Sequence, residues 1–176
     1  MKTSVALIGF MGVGKTAVAR ALAEKLGKKF VEQDSLIEKK AGKTIPEIFQ
    51  QDGEIAFREL EIEVTKEVAE KKNAVIACGG GVVLNKINID RLRKESIIVY
   101  LTASPRVILK RTSGGSEERP LLKVDNPFLP IQGLLRLRKT FYEQAADIKI
   151  DTSKLDIDSV AEQIISKLKD DESFNW

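Results

Sequence analysis

The chain has 176 residues and a net charge of +3, with 31% charged and 43% hydrophobic residues. That length fits one domain with a sizeable core, the charge is too small to argue for nucleic acid or a membrane surface, and no apolar stretch reaches spanning length. There is no histidine and only one cysteine, Cys78, which excludes Ser-His-Asp triads, histidine metal sites and an intramolecular disulfide.

A general base must therefore be a carboxylate, a lysine or a bound water. The lone thiol, and a start that runs directly into a strand with no signal peptide, point to the reducing cytoplasm.

The apolar run Val5 to Ile8 predicts a first strand, and Gly9 to Thr16 follows as Gly-Phe-Met-Gly-Val-Gly-Lys-Thr. Val18, Ala21, Leu22 and Leu26 then repeat at helical spacing, closed by Gly27. Strand, glycine-rich loop and helix form the context that a phosphate loop requires. The backbone around Gly12, Val13, Gly14, Lys15, Thr16 and Ala17 is suited to wrap a di- or triphosphate at the positive end of the helix. Lys15 can reach the terminal phosphates, and the Thr16 hydroxyl can ligate Mg²⁺.

A short strand from Lys29 to Val31 or Glu32 leads into a helix from about Ser35. Asp34 lies where ligands gather in parallel sheets, and without histidine it is the best acceptor for a hydroxyl proton; an N-cap role is equally compatible. Thr44 reads as the cap of the next helix, with Pro46 early in it. From Glu54 to Lys72 a long helix puts Phe57, Leu60, Val64 and Val68 on one face. Ile55, Arg58, Ile62 and Ala69 read as a second apolar stripe, with Glu61 placed to hold the Arg58 guanidinium.

The strand Ala74–Cys78, with its thiol expected to be buried, ends in Gly79-Gly80-Gly81. Three glycines let a ligand approach the backbone closely. A helix around Asn88–Glu95, the strand Ile97–Leu101 and a helix opening at Ser104-Pro105 follow. Residues 112–126, glycine- and serine-rich and containing Arg119, fit a mobile lid better than a bland loop.

In the helix from about Pro130 to Ala146, Leu134, Leu137, Phe141 and Ala145 form the expected core stripe. Arg138 falls on its edge, and Arg136 and Lys139 on the solvated side. A core-facing arginine is either paired internally or faces a cleft. Arg58 and Arg138 together suit a small anionic second substrate, because a guanidinium fork fits a carboxylate. A strand Ile148–Ile150, a closing helix Ile157–Leu168 and a frayed tail Asp170–Trp176 complete the chain.

Alternating strands and helices, with continuous apolar strands, predict a single α/β domain over 1–176. Its parallel sheet of about five strands carries helices on both faces.

The ordered set Gly9–Thr16, the Asp34 segment, Phe57-Arg58-Glu59-x-Glu61, Gly79-Gly80-Gly81, Arg119-Pro120-Leu121-Leu122 and Arg138-x-x-x-Tyr142 resembles the shikimate kinase family along nearly the whole chain. The resemblance implies a P-loop kinase fold and ATP-dependent phosphorylation of the shikimate 3-hydroxyl. By that resemblance Asp34 contacts the ring hydroxyls as base or orienter, and Arg58 and Arg138 hold the carboxylate. Gly79, Gly80 and Gly81 lie against the ring, and Arg119 reaches the phosphates on the lid. Arg111 is similar to the arginine that packs on adenine, with Lys154 in the adenine-loop region. The family usually has aspartates at both positions held here by Glu32 and Asp34. The first normally reaches Mg²⁺ through water, which the longer Glu32 can do with an adjusted water position.

The expected partners are shikimate and ATP, and the expected state is a cytoplasmic monomer without nucleic-acid or membrane binding. A gluconate- or nucleoside-monophosphate-type kinase shares the loop and lid, but the arginine pair favours a hydroxy acid. A nucleotide-dependent switch is weaker, because Asn85-Lys86-Ile87-Asn88 lacks the aspartate of the guanine-reading pattern. A silent ATP-binding module would bind nucleotide without accelerating transfer.

Overall fold

Strand β1 (Ser4–Ile8) is buried at every position, as its unbroken apolar run requires of a strand covered on both faces. In the computed structural model, which describes residues 1–113 and 128–176, it forms the centre of a parallel sheet. The other strands are β2 (Lys29–Glu32), β3 (Ala74–Ala77), β4 (Ser96–Thr102) and β5 (Ile148–Asp151). Their order among the described residues is β2-β3-β1-β4-β5, all pairs parallel. The expected five-stranded α/β architecture is the one observed.

Alternation along β1 divides the core in two. Val5 and Leu7 pack with α1 (Lys15–Leu26), α6 (Pro105–Ser113) and α8 (Ile157–Lys169). Ala6 and Ile8 pack with α2 (Gln33–Ala41), α3 (Ile45–Gln51), α4 (Gly53–Ala69) and α5 (Lys86–Glu95). The Thr44 cap is present as a complete capping box with Glu47.

Helix α7 (Phe128–Ala145) belongs to both halves: Ile131 sits in the first core, and Tyr142 and Ala145 in the second. Its buried residues are Ile131, Arg138, Tyr142 and Ala145, which corrects the expected stripe. Leu134 is half-buried, and Leu137 and Phe141 are exposed. Arg138 lies at the centre of the inward face rather than its edge. The second stripe expected on α4 fails at its first position, where Ile55 is 79% exposed, while Arg58 and Ile62 are half-buried and Ala69 is buried.

Register places Leu7, Glu32 and Ala77 on one level, so the segments after β1, β2 and β3 leave the sheet side by side. Gly9 is required at the exit of β1, since a Cβ there would lie 2.3 Å from the Leu101 carbonyl oxygen.

The tail, expected to fray, instead docks at the opposite end of the sheet. The Lys2 N–H donates to the Ser173 carbonyl and the Asn175 N–H to the Lys2 carbonyl, both at 2.8 Å. Phe174 is 3% exposed and joins the first core, with the Lys28 ammonium 5.1 Å from its ring centre. Phe174→Ala should cost about 3 kcal/mol of stability, read as a fall in Tm, while leaving the kinetic constants unchanged.

Candidate active site

A cavity of about 870 Å³ lies above the carboxyl ends of β1, β2 and β3, where parallel-sheet proteins place their ligands. Lys15, Thr16, Glu32, Asp34, Arg58, Gly79, Gly80, Gly81 and Arg138 all line it. Residues far apart in sequence are thus brought to one chamber. Gly12, Gly14 and Ala17 line its phosphate-loop side.

Helix α1 begins after Gly14 with no side-chain cap and no acidic residue of its own in its first turn, so its positive end faces the loop. The Lys15 ammonium donates to the Gly9 and Phe10 carbonyls at 2.7 and 2.9 Å, which holds it above the loop. The Thr16 hydroxyl donates to Glu32 Oε1 at 2.9 Å, and the Ser35 hydroxyl donates to Glu32 Oε2 at 2.9 Å. Glu32, not Asp34, occupies the N-cap position of α2; Asp34 is the second residue of the helix, inside its first turn.

On the other side, Arg58 donates through Nη1 to both Glu61 oxygens at 3.1 and 3.3 Å, and through Nη2 to Glu54 at 3.2 Å. Its Nε is buried with no hydrogen-bond partner among the described residues. Glu61 is wholly buried. Burial pushes its pKa up, the Arg58 charge pulls it back, and Asp34 raises it again. Arg138 is 4% exposed, with its guanidinium 5.9 Å from the Phe10 ring centre.

The glycine run has an additional role. A Cβ on Gly81 would lie 2.2 Å from Arg58 Nη1, and one on Gly79 would lie 3.0 Å from Asp34 Oδ1 and 3.1 Å from Glu61 Oε2. The protein's own charged groups therefore occupy much of the space that the missing side chains leave. Tyr142, buried beneath, donates its hydroxyl to the Gly80 carbonyl, and burial pushes its pKa up to about 12.

Arg111 donates to the Gly12 and Val13 carbonyls at 3.4 and 3.3 Å, and to Thr152 Oγ1 and its carbonyl at 3.1 and 3.0 Å. It ties the phosphate loop to the end of β5, near which the exposed Lys154 lies. Arg119 and most of the 112–126 segment lie outside the described residues; Thr112 and Ser113 close α6. Sequence reasoning missed Gln33, wholly buried behind the cavity, because hydropathy has no signal for an inward-facing amide.

The chain is similar over nearly its whole length to proteins of one family. The shikimate kinase family model matches residues 11–169. The shikimate kinase of Thermodesulfovibrio yellowstonii is 48% identical over 93% of this chain and 94% of its own. The structure of shikimate kinase from Acinetobacter baumannii in complex with shikimate is 36% identical, with a TM-score of 0.93 over 98% of this chain and 96% of that one. That of the Aquifex aeolicus shikimate kinase is 36% identical, with a TM-score of 0.81 over 94% of this chain and 96% of that one.

Cys78 lines the cavity but is 3% exposed, and burial pushes its thiol up to about 12. It should react with a disulfide reagent at pH 8 on the order of 10³-fold more slowly in the native protein than in denaturant, followed as thiol titration.

Proposed function

The chain belongs to the shikimate kinase family, and we propose that its own residues divide the reaction between a phosphate side and an acid side of one cavity. The reaction is transfer of the ATP γ-phosphate to the 3-hydroxyl of shikimate, giving shikimate 3-phosphate and ADP. The observation that carries this division is that Asp34, Arg58 and Arg138 line the same chamber as Lys15 and Thr16.

On the phosphate side, the loop amides from Gly12 to Ala17 and the Lys15 ammonium bind the β- and γ-phosphates. Arg111 and Lys154 flank the adenine. Mg²⁺ suits the oxygens of Thr16 and Glu32, which are hard donors already within 2.9 Å of each other. A cation held there by Thr16 and Glu32 would offset charge on the phosphate oxygens.

On the acid side, Arg58 and Arg138 grip the carboxylate with guanidinium forks. The buried Arg58 Nε supports this role, because a buried donor without a partner is costly until a ligand accepts from it. Asp34 orients the 3-hydroxyl and accepts its proton as the new O–P bond forms and the bond to the ADP oxygen breaks. Arg119 delivers further positive charge to the phosphates. The chain works as a cytoplasmic monomer. Among its described residues no helix is long and apolar enough to cross a membrane.

ADP release by the wild type should depend on shikimate; a rate indifferent to shikimate overturns the reading. Arg58→Ala and Arg138→Ala should each weaken shikimate binding by about 2–5 kcal/mol, with Gly81→Ala acting in the same direction by displacing Arg58. Lost thermal stability with an unchanged KM would mark the arginines as internal ion pairs instead. Asp34→Asn should lower kcat at least about 10²-fold while leaving the KM for ATP near its wild-type value.

A further inference from the structure

Gln33 stands between Glu32 and Asp34 at the start of α2, yet it does not line the cavity and has no solvent exposure. Its Oε1 accepts from the Gly79 N–H at 2.8 Å. Its Nε2 donates to Thr65 Oγ1 at 2.5 Å and lies 3.5 Å from the Glu61 carbonyl. Thr65, also wholly buried, donates its hydroxyl to that same carbonyl at 2.6 Å. The bonds run in one direction, from Gly79 through Gln33 and Thr65 to the backbone of Glu61.

That path joins the three elements that bear the acid side of the cavity. Asp34 follows Gln33 directly on α2. Glu61 and Arg58 lie on α4, bonded to each other at 3.1 Å. Gly79 opens the glycine run, and the Asp34 and Glu61 carboxylates converge on its α-carbon. Pinning the Gly79 amide therefore sets the spacing between the group that takes the proton and the pair that holds the carboxylate.

The chemistry at this position calls for an amide. The terminal group must accept from a backbone N–H and donate to a hydroxyl, and it must do so without charge. A glutamate would add a second wholly buried carboxylate beside Glu61, close to the half-buried Asp34. A leucine would leave the Gly79 N–H without its acceptor. We infer that Gln33 is a positioning residue for the acceptor substrate, acting through Gly79 and Thr65 to hold Asp34 in register with Arg58. This role rests on the shikimate-kinase reading above and deepens it. The phosphate loop hangs from β1, and the path adjoins the nucleotide side only at Glu32, the neighbour of Gln33.

Steady-state kinetics with each substrate varied in turn, alongside thermal melts, provide the test. Gln33→Leu should raise the KM for shikimate about tenfold and lower kcat, with the KM for ATP within about twofold of wild type. Thr65→Val should shift the same two constants about threefold, and Thr65→Ser, which keeps the hydroxyl, should restore them. If Gln33→Leu does not fold, the Thr65 pair decides alone. Unchanged shikimate constants in the folded variants, or losses falling equally on ATP, overturn the assignment. A wild type indifferent to shikimate overturns the underlying function instead, and this role with it.

Discussion

The side of the cavity formed by α4 depends on the ion pair between Arg58 and Glu61. Glu61 has no solvent exposure, and a carboxylate buried alone would be driven toward its neutral form. The Arg58 guanidinium, bonded to both of its oxygens, opposes that drive. Breaking such a pair costs about 3–5 kcal/mol, because the abandoned partner stays buried. Arg58 can sit where it does because Gly81 has no Cβ, and a Cβ on Gly79 would crowd Glu61 at 3.1 Å. The glycine run thus serves the charged groups as much as any ligand.

The same economy explains the buried neutral groups beneath the site. Cys78 and Tyr142 both have their pKa values pushed up to about 12 by burial, so neither competes for charge in the cavity at neutral pH. They form a floor of low polarity, over which the charges of Lys15, Asp34, Arg58 and Arg138 interact more strongly than in water. With no histidine in the chain, the charged groups that line the cavity are carboxylates, lysine and arginine, and their separation is set by packing. Behind the cavity, Gln33 and Thr65 contribute satisfied hydrogen bonds rather than added charge.

The strands and the phosphate loop were legible because their signals are local. Continuous apolar runs mark strands covered on both faces, and the loop motif needs only its flanking strand and helix. Helix α7 was misread for a physical reason. It crosses from one core to the other above the strand ends, so its inward face meets a polar cavity as well as apolar packing. Arg138 and Tyr142 took the buried positions that periodicity assigned to Leu137 and Phe141. The first turn of α4 departs similarly, with Ile55 exposed beside a buried ion pair. At Phe174 the misreading ran the other way: a polar tail concealed one aromatic ring that completes the core.

Glu32, one methylene longer than an aspartate, is restrained locally. Its extra methylene would be a liability if the carboxylate hung free, since each added torsion enlarges the set of positions to be restricted. Here one oxygen accepts from Thr16 and the other from Ser35, so both ends of the carboxylate are fixed. Its negative charge also lies at the N-terminus of α2, where the helix dipole favours it. Ser35 is three residues on, within one helical turn, so the anchor comes from the helix that Glu32 itself begins. The longer side chain and its restraint are therefore encoded together within Glu32-Gln33-Asp34-Ser35. In the same four residues Gln33 faces inward to Gly79, while Asp34 faces the cavity.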